Sequence, residues 1–146
     1  MNILLNIFDK IYNLAKSNSL TPLVFAASCC GAEILSAESV FNSDKDITYG
    51  NPRHSDLLIV AGIITDKNAE VLQNIYEQMP EPKYVITIGA CACSGGVFKN
   101  SSYSVINGAD KIIPVDISLP VCPPEPEDII NAIEKLKKKI TSGQEE

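Results

Sequence analysis

Tyr84-Val85-Ile86-Thr87-Ile88-Gly89-Ala90-Cys91-Ala92-Cys93-Ser94-Gly95-Gly96, residues 84–96, decides how the rest of the chain is read. The first five residues are mostly apolar and rich in β-branched side chains, the pattern of a parallel strand buried on both faces. The loop that follows carries two thiols among small residues, which let the backbone come close to a bound group. Open α/β sheets place their chemistry in such loops, at the carboxyl ends of central strands.

Similar units flank this one. Leu23-Val24-Phe25-Ala26-Ala27, opened by Thr21-Pro22, reads as a first strand that delivers Ser28-Cys29-Cys30-Gly31. A helix is expected from about Ala32, carrying Glu33, Ile34, Leu35 and Val40, and then a polar, irregular, exposed loop from Phe41 to Pro52. Pro52-Arg53-His54-Ser55 leads into a second strand, Asp56 to Val60, ending at Ala61-Gly62. A helix from Asp66 to Gln78 sets Val71, Leu72, Ile75, Tyr76 and Met79 on one face and stops at Pro80 and Pro82. Lys111-Ile112-Ile113-Pro114-Val115 reads as a weaker strand whose proline points to an edge position. The last helix opens at Pro126, with Glu125, Glu127 and Asp128 complementing its N-terminal dipole and Ile129, Ile130, Ile133, Leu136 and Ile140 forming its stripe.

This order implies an α/β domain: a flavodoxin-like, doubly wound parallel sheet of about four strands with flanking helices, over residues 19–140. Residues 1–18 read as an amphipathic helix, with Leu4, Ile7, Phe8, Ile11, Tyr12 and Ala15 at helical spacing. Such a helix docks on a partner or membrane surface, or packs on its own domain. Residues 141–146 read as a frayed polar tail.

With 146 residues the chain has room for one core. A net charge of −6 and the absence of a basic stripe speak against nucleic acid. The run from Lys135 to Lys139 reads as a solvated helix face. No stretch approaches the roughly 20 apolar residues that span a bilayer, and the N-terminus lacks the basic start and cleavage site of a signal peptide. The expectation is a soluble or peripheral protein on the cytoplasmic side.

All five cysteines lie in three loops: Cys29 and Cys30, Cys91 and Cys93, and Cys122 within Pro120-Val121-Cys122-Pro123-Pro124. An odd number of grouped thiols fits poorly with a disulfide framework and well with metal chemistry in a reducing compartment. Structural zinc normally uses C-x-x-C pairs, which are missing, and so does a thiol–disulfide enzyme. Scattered free thiols are a bland alternative, though confinement to three strand-end loops argues against them. A flavin would want a phosphate loop after the first strand, where two cysteines stand instead. A 4Fe–4S cluster wants four thiolates, and Cys29, Cys30, Cys122 and either Cys91 or Cys93 supply them. Adjacent cysteines diverge unless the local backbone is unusual, which Gly31 next door would ease.

The segments Ser28-Cys29-Cys30-Gly31-Ala32-Glu33, Pro52-Arg53-His54-Ser55-Asp56, Tyr76 to Lys83, Gly89 to Gly96 and Cys122-Pro123-Pro124-Glu125-Pro126-Glu127 together resemble one family. It is the iron–sulfur (20 kDa-type) subunit of respiratory complex I, which is also the small-subunit family of energy-converting, membrane-bound [NiFe] hydrogenases. The likeness runs from about Pro22 to Ile140. It implies a flavodoxin-like fold holding one 4Fe–4S cluster on Cys29, Cys30, Cys91 and Cys122, with Cys93 a spare thiol where relatives usually have asparagine. It also implies electron transfer to or from a site shared with a large subunit, either a quinone site or a NiFe centre. A ferredoxin-like iron–sulfur subunit and membrane subunits would complete the complex. The chain would not be catalytic alone; the alternative is a stand-alone metal-binding or thiol-redox module.

Val121 and Glu125 depart from the glycine and arginine common in relatives, and Thr48-Tyr49-Gly50-Asn51 stands where complex I members carry an arginine-containing stretch. Gly50 to His54 looks more hydrogenase-like, whereas the adjacent Cys29-Cys30 pair looks more complex-I-like. Three further residues are candidates. Glu33 either satisfies helix N-terminal amides or, as the resemblance favours, relays protons beside the cluster. His54, the only histidine, is either a hydrogen-bonded structural residue or a group that tunes the cluster and couples its reduction to a proton. Arg53 would favour the reduced, more negative cluster by its charge.

Overall fold

The computed structural model describes residues 11–36 and 50–142, with the side chains of residues 35 and 36 left aside. Residues 11–18 are helical (α1); the rest of the expected 1–18 helix, the 41–49 loop and the 143–146 tail lie outside the described residues. Four parallel strands follow, β1 (Pro22–Ala26), β2 (Leu57–Ala61), β3 (Tyr84–Ile88) and β4 (Ile117–Leu119), hydrogen-bonded in the order β1-β2-β3-β4. The helices are α2 (Ser28–Ser36), α3 (Asp66–Gln78), α4 (Ala90–Ser94) and α5 (Pro126–Ser142).

β2 and β3 are buried at every position, as unbroken apolar runs inside a parallel sheet require. Alternation along them feeds two cores. Leu57, Ile59, Tyr84, Ile86 and Ile88 meet Ile34 of α2 and Ile129, Leu136 and Ile140 of α5 on one face. Leu58, Val60 and Val85 meet Leu72 and Met79, Ala92 of α4, and Ala109 and Ile113 on the other. The α3 face is started by Thr65, whose hydroxyl accepts from the Asn68 N–H at 3.3 Å, with Asp66 in the first turn. Both faces of the sheet are therefore covered, as the sequence pattern implies.

Four local expectations are corrected. Lys111–Val115 is not a strand: residues 109–111 form a 3₁₀ turn and Ile113 plugs the α3-face core. Pairing with β3 is set by Asp116, whose N–H donates to the Val85 carbonyl at 2.9 Å while its carboxylate accepts from the Val85 N–H at 2.8 Å. The ladder thus opens beyond Pro114, which has no N–H to give. The first helix begins at Ser28, four residues before Ala32, so the cysteine pair stands on its first turn. Val71 of α3 is half-exposed and contributes little to the core. Thr141 and Ser142 continue α5 instead of fraying.

Leu72 is fully buried and is the main attachment of α3 to the sheet. Leu72→Ala is expected to cost about 2–5 kcal/mol, because the rigid sheet cannot close the cavity. Urea denaturation of the two proteins measures the difference.

Candidate metal centre

The carboxyl ends of β1, β3 and β4 deliver the cysteines to one edge of the sheet. After β1 the chain turns through Ser28, a non-glycine residue at φ 60° whose hydroxyl accepts from the Ile63 N–H at 3.2 Å. That turn starts α2 at once, and successive residues of a helix diverge by about 100°. Cys30 accordingly points inward and is fully buried, while Cys29 stays exposed. Gly31 does not supply the unusual backbone expected of it. It lies within α2, where a Cβ would come within 2.7 Å of Ala26 Cβ, so it permits close packing of α2 on β1.

Gly89, at φ 94°, ends β3. A side chain there would put its Cβ 2.5 Å from Cys30 Sγ, so the bare backbone is what lets the first cysteine loop nest against the second. Its N–H donates to the Leu119 carbonyl at 2.8 Å, tying in the end of β4, after which Pro120 and Val121 lead to Cys122. Cys122 is exposed and joined to Pro123 by a cis peptide bond.

The thiols act on one another. Burial, then Cys29 by its charge and a side-chain hydrogen bond, then Cys122 and Cys91, push the Cys30 thiol up to about 11. Burial, followed by Cys122 and Cys29, raises Cys91. Cys93 contributes to neither. It lies two residues along α4 from Cys91, about 200° round the helix, and its sulfur sits 3.4 Å from the Thr87 hydroxyl beneath the sheet. Cys30 and Cys91 thus stand within electrostatic reach of Cys29 and Cys122 at this edge, whereas Cys93 lies against Thr87.

The other candidates separate. Glu33 is half-buried on the second turn of α2, four residues after Cys29 and three after Cys30, on the cysteines' side of the helix. The helix begins at Ser28, so Glu33 lies beyond its first turn. Arg53 and His54 are exposed in a 3₁₀ turn, Pro52–His54, at the amino end of β2. The length of β2 alone puts roughly 13 Å between that edge and the cysteine edge. The structure does not bring them to the thiols.

Residues 6–136 match the profile of the family described as NADH ubiquinone oxidoreductase, 20 Kd subunit. The chain belongs to that family. It is 45% identical over 146 residues to "NAD(P)H-quinone oxidoreductase subunit K, chloroplastic" of Nephroselmis olivacea, covering 98% of this chain and 62% of that protein. It is 44% identical over 143 residues to an NADH-quinone oxidoreductase subunit from Bacteroides thetaiotaomicron, covering 95% and 72%. Against other chloroplast relatives it spans little more than half their length, 54% in Physcomitrium patens and 52% in Chlorokybus atmophyticus. A chain in the structure of the membrane-bound sulfane sulfur reductase, an archaeal respiratory membrane complex, superimposes with a TM-score of 0.77 at 30% identity, over 92% of this chain and 77% of that one.

The residues of this family member fit a thiolate-bound cluster. Thiols delivered by three strand-end loops to one sheet edge are the donor type that iron–sulfur clusters use, and Gly89 leaves room where a Cβ would intrude on Cys30. Among the described residues, no three His, Cys, Asp or Glu side chains are disposed to hold one metal ion.

Gly89→Ala would force an alanine to φ 94° and its methyl onto Cys30 Sγ. It is expected to lose about 2 kcal/mol or more of stability, since left-handed backbone alone costs roughly 1–2 kcal/mol for a residue with a Cβ. Urea denaturation of the metal-free proteins gives the figure.

Proposed function

We propose that this chain is the electron-transfer subunit of a membrane-associated, multisubunit oxidoreductase of the complex I and energy-converting hydrogenase type, carrying one 4Fe–4S cluster. The observation that carries the reading is the meeting of Cys29, Cys30, Cys91 and Cys122 at the carboxyl edge of the sheet. When bound, the cluster supplies a one-electron store whose potential depends on its hydrogen bonds, charge and exposure.

The chain's own residues set those conditions. Cys30 and Cys91 would hold the buried side, and Cys29 and Cys122 the exposed side. Binding must expel the Cys30 proton, held to about pH 11, so loading is linked to proton release. Glu33, half-buried beside the pair, is the proton-relay candidate. Val97, 82% exposed, and Phe98 follow the Cys91 loop along the chain, and Val121, also exposed, precedes Cys122. Apolar side chains rimming a half-open site fit a surface that a partner closes, excluding water. The partners in this reading are a large subunit with a quinone site or NiFe centre, a ferredoxin-like iron–sulfur subunit and membrane subunits. No helix among the described residues is long and apolar enough to cross a membrane. Attachment would be peripheral, on the cytoplasmic face.

Anaerobically purified protein is expected to contain about four iron and four acid-labile sulfide per chain. Zinc, or no metal with titratable thiols, would overturn the assignment. Cys29→Ser, Cys30→Ser, Cys91→Ser and Cys122→Ser should each reduce iron content or alter the cluster's EPR spectrum, whereas Cys93→Ser, whose hydroxyl can keep the hydrogen bond to Thr87, should keep the full complement.

Arg53 offers a second check. At roughly 13 Å two unit charges interact by roughly 0.3 kcal/mol at the dielectric of water and by no more than roughly 1 kcal/mol at the effective value near a protein surface, before salt screening of the exposed Arg53. Arg53→Ala is therefore expected to leave the midpoint potential of a redox titration close to wild type. A clear drop would restore Arg53 as a tuning residue.

A further inference from the structure

Thr87 is a polar residue in one of the two fully buried strands, 1% exposed between Ile86 and Ile88. Alternation along β3 turns it to the α3 face, opposite the layer that holds Cys30. There its hydroxyl lies 3.1 Å from the Ser118 hydroxyl, on the paired residue of β4, and 3.5 Å from the Ile117 carbonyl. It also lies 3.4 Å from Cys93 Sγ. A hydroxyl has one proton and two lone pairs. With one proton on the hydroxyl and one on the thiol, the Thr87–Cys93 contact can run in either direction, the neighbouring Ser118 hydroxyl and the Ile117 and Thr87 carbonyls taking up the remaining protons. The Cys93 sulfur also stands 3.8 Å from the Thr87 carbonyl, so both contacts of this thiol go to one residue of β3.

This anchors a weak element. α4 has five residues and no side-chain cap at its N-terminus. A helix that short has little cohesion of its own, and its rotation about its axis decides which cysteine faces which way. Holding Cys93 under the sheet turns Cys91 to the side of Cys29 and Cys122. A valine would fill the same core space; the hydroxyl adds direction, because a satisfied buried polar group selects one arrangement.

We propose that Thr87 is a positioning residue: through Cys93, and braced by Ser118, it fixes the rotation of α4 and so presents Cys91 to the metal centre. This rests on reading Cys29, Cys30, Cys91 and Cys122 as the ligands. The ligand choice is then made from beneath the sheet, by a side chain that never touches the bound group.

The test compares Thr87→Val, Thr87→Ser and Cys93→Ala with wild type in the intact complex, purified anaerobically. The readouts are iron and labile sulfide per chain, the EPR g-values of the reduced cluster, its midpoint potential and the melting temperature. Thr87→Val is expected to shift the g-values and the midpoint and to lower iron content. Thr87→Ser, which keeps the hydroxyl, should restore all three. Cys93→Ala should move the same signals the same way by less. Wild-type g-values and midpoint in Thr87→Val overturn the proposal, whatever the melting temperature does. Should Thr87→Val fail to assemble, Cys93→Ala decides: a wild-type spectrum and midpoint there overturn it equally. A wild-type complex in which this chain lacks iron and sulfide sinks the ligand reading itself, whereas loaded wild type with indistinguishable variants sinks only the positioning role.

Discussion

Three loops meet at one backbone position. Gly89 donates its N–H to Leu119 at the end of β4, accepts at its carbonyl from the Cys93 N–H of α4, and lies against the Cys30 sulfur that follows β1. Only a residue without a Cβ can do all three at φ 94°. The sheet order places these strand ends on one edge, but the approach to within contact distance is granted by the missing side chain. A parallel sheet with bulkier residues at that edge would keep its fold and lose the gathering of thiols.

The burial pattern follows from the same edge. Cys30 and Cys91 are drawn inward because α2 and α4 each begin immediately at a strand end, leaving no slack to turn outward. Neutral thiols tolerate that burial, and the displacement of the Cys30 pKa toward about 11 records how poorly the bare site would tolerate thiolates. A bound cation would lower those values and favour the thiolates.

Much of this was legible in the residues. β3 was readable to its ends because an unbroken β-branched run between Lys83 and Gly89 has no other good use, and its two-sided burial followed from its lack of alternation. Lys111–Val115 misled because an apolar run says only that residues are buried; Ile113 is buried by a turn, and the ladder was set by Asp116, a residue whose side chain imitates a backbone partner. The pair Cys29-Cys30 was visible as unusual, yet the device that accommodates it, Ser28 at positive φ, has no signature in composition. Arg53 and His54 drew notice through motif and chemistry, and strand direction placed them at the wrong end. The one overlooked signal was Thr87: a lone hydroxyl within an apolar strand, holding a cysteine six residues further along the chain.

β2 ends at Ala61 without giving a sulfur to the site, although it lies between two strands that do. The cysteines thus come from segments far apart along the chain, on either side of a central strand that contributes none. A group bound to all of them would act as a cross-link closing two long loops, restricting the unfolded chain much as a pair of disulfides does. The sheet edge that carries the chemistry would then also be the knot that holds the domain's two ends in register.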